Sequence, residues 1–189
     1  STIGGEGKTT VCINLGGIVS MSGKKTIILN LDMRKPTLHE KFGLPNSKGM
    51  STLLSRRTDL NDVIQHSAYD HLDIITSGPV PPNPSELIQS EEMERILEKL
   101  KEVYDVIILD TPPVGLVTDA RTLMHHADTS IYVLRAGYSK KGFIRSIKEL
   151  SSLKEIHGLS FLLNDVKLGE NGYGYGYGYG YGYYEEDKH

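Results

Sequence analysis

The 189-residue sequence contains one cysteine, Cys12, and no tryptophan. A single thiol excludes an internal disulfide, cannot build a structural zinc or iron–sulfur site, and fits a reducing, cytoplasmic compartment. No apolar run approaches the ~20 residues that a membrane-spanning helix needs, and no signal peptide is visible. Neither sign of charge dominates: 21 Lys and Arg stand against 24 Asp and Glu, a net charge of −3. Basic residues never run beyond a pair, so nothing favours nucleic acid as a partner. Aromatics are sparse and unevenly placed. There are three Phe, and seven of the eleven Tyr fall between Gly172 and Tyr184. That stretch, GYGYGYGYGYGYY, has no apolar periodicity to fold it, and Glu185, Glu186 and Asp187 follow it.

What is present is a chain of one-domain length with 38% apolar residues, enough for a continuous core. We expect a folded unit over 1–168 and a disordered Gly/Tyr tail over 169–189. VCINLGGIVSMSG (Val11–Gly23) has the apolar spacing of a buried helix ending at a glycine. TIILNLD (Thr26–Asp32), LDIITSG (Leu72–Gly78), VIILD (Val106–Asp110), ADTSIYVLRAG (Ala127–Gly137) and LSFLLNDV (Leu159–Val166) read as strands. MSTLLS and LNDVIQ read as short helices within a polar, turn-rich stretch over 33–70. ELIQSEEMERILEKLKEVY is a single amphipathic helix opened by Pro84-Ser85-Glu86, and KKGFIRSIKELSSLKE is another helix. Strands alternating with helices predict an α/β fold, a mainly parallel doubly wound sheet covered on both faces. Ligands of such sheets sit beyond the carboxyl ends of the strands, where Asp32 and Asp110 both fall. No strand precedes the glycine-rich opening STIGGEGKTT, and the expectation is that a first strand is missing.

GGEGKTT (Gly4, Gly5, Glu6, Gly7, Lys8, Thr9, Thr10) is the strongest local signal. Glycines let successive backbone N–H groups converge on phosphate oxygens, and the helix that follows adds its positive end. Lys8 would reach the β- and γ-phosphates and the Thr9 hydroxyl would ligate Mg²⁺. Thr2 stands where the strict pattern has its first glycine. A glycine-rich turn with no ligand would look the same in isolation, but VIILD supplies Asp110, the carboxylate a magnesium water shell needs. The fold class is therefore a P-loop NTPase.

Three pieces together, GEGKTT, LDMRKP and ILDTPPV, resemble the Walker A, Walker A′ and Walker B motifs of the bacterial tyrosine kinases, the cytoplasmic autokinases of polysaccharide export. The resemblance runs on through SGPVPPNPSELI, LRAG and LLND to about residue 167, and the Gly-Tyr row matches that family's tyrosine cluster. It implies an ATP- and Mg²⁺-dependent kinase acting on its own tail, with Tyr173, Tyr175, Tyr177, Tyr179, Tyr181, Tyr183 and Tyr184 as acceptors. It places Lys8 on the phosphates, Thr9, Asp32 and Asp110 around the metal, Arg34 near the nucleotide and Asn164 at the adenine edge. Asp119 and Arg121 are either supports of the site or structural. It further implies a homo-oligomeric ring, an octamer among the sizes, in which each tail enters a neighbour's site. A membrane-anchored activator of the polysaccharide co-polymerase type would hold the chain at the inner face of the plasma membrane. A cognate tyrosine phosphatase would reverse the modification. The region 37–70, with Arg56 and Arg57, is the expected contact surface for the activator.

One position departs from the family pattern. The motif before DMRKP reads D-x-D in the family and Asn30-Leu31-Asp32 here. A carboxylate can take a proton from a phenol and an amide cannot. Either Asp32 takes over as base or Asn30 marks an impaired or engineered variant. Two other readings stay open. Min/Par-type ATPase switches share the fold, but their signature lysine, five residues before the P-loop lysine, is Ile3 here. A nucleotide-binding regulator without phosphotransfer is compatible with Asn30.

Overall fold

The computed structural model describes residues 1–115, 119–151, 156 and 158–167. The seven tail tyrosines and the expected domain boundary at 168 lie outside the described residues. After the glycine-rich loop comes α1 (Lys8–Met21), then β1 (Thr26–Asn30), α2 (Leu38–Phe42), α3 (Met50–Leu54) and a 3₁₀ turn (Leu60–Asp62). Next are β2 (Gln65–His66), β3 (Leu72–Ile75), α4 (Pro84–Ile88), α5 (Glu91–Lys101) and β4 (Val106–Asp110). α6 (Asp119–Met124), β5 (Ser130–Arg135), α7 (Phe143–Ser151) and β6 (Leu159–Asn164) complete the order.

The strands form a four-stranded sheet in the order β2-β3-β1-β4 and a parallel pair β5-β6. β1 runs parallel to both β3 and β4, while the two-residue β2 is antiparallel to β3. Every residue of β1 is buried, as a central strand covered on both faces must be. Its alternate side chains serve two layers. Ile27 and Leu29 join Ile75, Met93, Ile96, Leu97 and Leu100 under α3 and α5. Ile28 packs with Leu72, Ile74 and Ile108 against Cys12, Ile13 and Leu15 of α1. Gly16 lets α1 lie this close: a Cβ there would come within 2.8 Å of Ile28 Cδ1.

The long helix expected after Pro84 is two helices. Pro84 begins α4, and Ser90 then starts α5 with Glu91, Glu92 and Glu94 in its first turn and Lys99 and Lys101 in its last, each sign matching the helix dipole. The end of LNDVIQ is not helical, because Gln65 and His66 pair with β3. The region 37–70 is tied to the sheet by Met50 N–H on Thr76 O and Ser51 N–H on Ser77 O, both 2.8 Å. Its Arg56 donates to Glu92 at 2.8 Å, and Arg57 is exposed. Among the described residues, no helix is long and apolar enough to cross a membrane.

Candidate functional site

The glycine-rich loop lies at the carboxyl ends of β1, β4, β5 and β6, and α1 leads away from it. Gly7 caps α1 with φ 95°, a left-handed conformation open to glycine, and its carbonyl accepts the Val11 N–H at 2.9 Å. A Cβ on Gly7 would also come within 2.1 Å of Asn164 Nδ2. No side chain caps the start of α1 by a hydrogen bond, and its first N–H groups open toward the loop.

β1 and β4 are in register, with Asn30 opposite Asp110, so the two side chains share the face that α1 covers. The Thr9 hydroxyl donates to Asp110 Oδ2 at 2.8 Å, and the Cys12 thiol reaches Asp110 Oδ1 at 3.7 Å. Burial pushes the Asp110 carboxyl up to about 6, although the Thr9 hydroxyl and the Lys8 ammonium pull it back down and Asp32 adds to the rise. Desolvation lowers the Lys8 ammonium, opposed by Asp110, then Asp32, then Glu6. Burial, reinforced by Asp110, raises the Cys12 thiol well above its ordinary value. Lys8, Thr9, Asp32 and Asp110 thus form one electrostatic unit.

Asn30 is fully buried. Its Oδ1 accepts the Asp32 N–H at 3.2 Å, and its buried Nδ2 has no partner among the described residues. Asp32 is half-buried, and its Oδ1 accepts the Lys35 N–H at 3.1 Å. Arg34 is brought to Ser85 Oγ at 2.9 Å and to the buried Asp119 Oδ2 at 3.4 Å, while Arg121 is exposed. Asp119 Oδ1 has no partner among the described residues.

Glu6 is also fully buried. Its Oε2 accepts the Ile3 N–H at 3.1 Å, and its Oε1 accepts a hydrogen bond from Ser139. Its carboxylate closes the loop on itself. Asn164 donates from Nδ2 to Glu6 O at 3.2 Å, so this amide braces the loop from the end of β6. Three further residues hold the loop from the β5 side. Arg135 donates to Gly5 O at 3.1 Å and to Asp165 at 3.0 Å. The Tyr138 hydroxyl donates to Gly4 O at 3.1 Å, beneath the Arg135 guanidinium, which lies 5.3 Å from the ring centre. The Tyr132 hydroxyl is hydrogen-bonded to Thr2. Arg135 belongs to the LRAG strand end that the sequence marks, and Tyr138 and Ser139 follow it directly.

The donor set suits magnesium. Mg²⁺ takes hard oxygens, keeps much of its water, and commonly relies on one or two carboxylates plus phosphate oxygens. Thr9 and Asp110 in contact, with Asp32 nearby, offer that chemistry. Among the described residues there is no cluster of three or more His, Cys, Asp or Glu side chains that would form an all-protein metal cage.

Comparison with known proteins agrees with this fold. A family model described as an AAA domain matches residues 2–160. Tyrosine-protein kinase YwqD of Bacillus subtilis is 37% identical over 167 residues, covering 88% of this chain and 70% of that protein. The solved kinase domain of the Escherichia coli tyrosine kinase ETK superposes with a TM-score of 0.83 at 35% identity, over 94% of this chain and 70% of that one. The cell-division ATPase MinD of Pyrococcus furiosus has a TM-score of 0.71 at 22% identity, over 86% of this chain and 68% of its own, a likeness of fold alone.

Proposed function

The chain belongs to the bacterial tyrosine-protein kinases, and from that premise we propose that its P-loop site moves the γ-phosphoryl group of ATP onto the tyrosines of its own tail, Tyr173 to Tyr184. The observation that carries this reading is the contact of Thr9 with Asp110 beside Lys8, at the open amino end of α1. Phosphoryl transfer needs positioning and charge neutralisation more than covalent chemistry. The amides of Gly4 to Lys8 and the Lys8 ammonium hold the phosphates. Thr9, Asp110 and Asp32 would hold Mg²⁺, which when bound neutralises charge on the phosphate oxygens.

A phenol with pKa near 10 needs a proton acceptor as its bond to phosphorus forms. Asp32 is the carboxylate we assign to this step, since it is half-buried whereas Asn30 is closed off from solvent and already bonded to the Asp32 N–H. Asn30 then acts by positioning Asp32. The alternating glycines let the tail enter a narrow cleft without Cβ clashes. The acceptor is the tail of a neighbouring subunit, in a ring held at the membrane by an activator of polysaccharide synthesis and export. Seven phosphates of about −1.5 to −2 charge each, added to Glu185, Glu186 and Asp187, would expel the tail and loosen the ring.

The test mixes two chains. A Lys8→Met chain with an intact tail serves as acceptor, and a chain whose seven tail tyrosines are phenylalanine serves as donor. Phosphotyrosine on the Lys8→Met chain is expected. ATP hydrolysis by the donor with no phosphate on the acceptor would refute transfer between subunits, and it would leave an ATPase switch as the better reading.

A further inference from the structure

Four tyrosines lie outside the tail: Tyr69, Tyr104, Tyr132 and Tyr138. Tyr132 is buried and bonded to Thr2, and the half-buried Tyr104 donates its hydroxyl to Asp73 Oδ2 at 2.7 Å. Tyr69 and Tyr138 are exposed, at 56% and 45%. They differ in sequence and in place. Tyr138 follows Gly137, as six of the seven tail tyrosines follow a glycine, whereas Tyr69 stands between Ala68 and Asp70. Gly137-Tyr138 is thus the tail's own dipeptide within the folded unit. A Cβ on Gly137 would meet nothing within 4 Å, so the approach to the ring is open on that side. Tyr69 leads into the amino end of β3, while Tyr138 follows the carboxyl end of β5, where the phosphate loop lies.

Tyr138 also stands against that loop. Its hydroxyl donates to Gly4 O at 3.1 Å, and a Cβ on Gly5 would come within 3.1 Å of the same phenol oxygen. The Arg135 guanidinium lies 5.3 Å from the ring centre and donates to Gly5 O at 3.1 Å and to Asp165 Oδ2 at 3.0 Å. A phenol and a guanidinium therefore brace two successive carbonyls of the loop. Lys140 and Lys141, both exposed, come next in the chain. One neutral hydrogen bond and one exposed cation–π contact hold the ring, so its hydroxyl can leave Gly4 for another partner at small cost.

We propose that Tyr138 is a phosphoacceptor outside the tail, modified by the site of another copy of this chain, and that its phosphate weakens nucleotide binding at the loop it braces. This role rests on the kinase activity proposed for the site. In the step, the γ-phosphorus bonds to Tyr138 Oη as its bond to the β–γ bridging oxygen breaks. ADP leaves with that oxygen, and the phenol proton passes to the carboxylate of Asp32 in the donor copy. The product has no hydroxyl proton to donate to Gly4 O. It sets a charge of about −1.5 to −2 beside the amides that Gly4 to Lys8 offer to an anion. The phosphate draws the Arg135 guanidinium toward itself and away from Gly5 O. Loss of both braces and repulsion of ATP act in the same direction, so the mark limits the activity of the copy that carries it.

The test uses as acceptor an isotopically labelled Lys8→Met chain whose seven tail tyrosines are phenylalanine. The donor is the unlabelled tail-phenylalanine chain with Lys8 intact, and a second mixture gives the labelled acceptor its natural tail. After incubation with Mg-ATP, phosphopeptide mapping of the labelled chain should find phosphate on Tyr138 and far less on Tyr69. Phosphate on the natural tail with none on Tyr138 would overturn this proposal and leave the kinase reading standing. No phosphate on either would overturn both. Equal modification of Tyr69 and Tyr138 would mean that any exposed tyrosine suffices, and would overturn the assignment. In the tail-phenylalanine chain, phosphate on Tyr138 should weaken binding of a fluorescent ATP analogue at least about fivefold. Tyr138→Phe, which removes the hydroxyl donor and adds no charge, should weaken it less. Equal affinity with and without the phosphate would overturn the regulatory role.

Discussion

Asn30→Asp is the substitution that most sharply tests the desolvated environment assigned to the phosphate site. The change is nearly isosteric and keeps Oδ1 as acceptor for the Asp32 N–H. It removes the unpartnered buried Nδ2, a relief of about 1–3 kcal/mol. Against that, it places a carboxyl group at a fully buried position whose register neighbour is Asp110, itself already raised by burial to about 6. A second carboxyl there should titrate at least about three units above an exposed one, which at neutral pH costs about 4 kcal/mol. The net effect is a loss of about 1–3 kcal/mol, or a fall in melting temperature of roughly 2–12 °C.

The pH dependence has a definite sign. A carboxyl whose folded pKa is raised holds its proton longer in the folded state, so its stabilising contribution is complete below the unfolded value near 4. It is lost as pH rises toward the folded value. The gap between Asn30→Asp and the unmodified chain should therefore be small near pH 4.5 and widest near pH 7.5. Thermal unfolding of both chains across that range measures it. A constant gap, or an Asp variant more stable at pH 7.5, would refute the desolvated site. Saturating Mg-ATP should raise the melting temperature of both chains by mass action on the folded state.

Gly7→Ala should reduce nucleotide affinity at least about tenfold, because φ 95° and the Asn164 amide 2.1 Å from the new Cβ both displace the loop; a fluorescent ATP analogue measures this, and near-native affinity would show that the loop adapts.

Much of this architecture is legible from local patterns. The five strands carry apolar, β-branched runs, and VIILD and TIILN end where the site begins because buried parallel strands deliver their polar residues at their carboxyl ends. The split between α4 and α5 escapes a reading of apolar residues, since both segments are helical and only the Gln89-Ser90 junction separates them. β2 is two residues long and exists only because β3 pairs with it. The P-loop sequence names the phosphate cradle but not its braces. Glu6 with Ser139, Gly5 with Arg135, and Thr2 with Tyr132 join residues some 130 positions apart. Only the fold brings such pairs together, and no spacing rule connects them. Arg34 likewise reads as a nucleotide ligand beside Asp32, whereas the fold carries its guanidinium to Asp119 and Ser85.

The central claim is that this P-loop site phosphorylates the tyrosine row. Intact-mass measurement with phosphopeptide mapping, after incubating the chain with Mg-ATP, addresses it most directly. Phosphate is expected on tyrosines between Tyr173 and Tyr184, with none when Lys8→Met is incubated alone. Release of inorganic phosphate with no gain in mass, or equal gain in Lys8→Met, would contradict it.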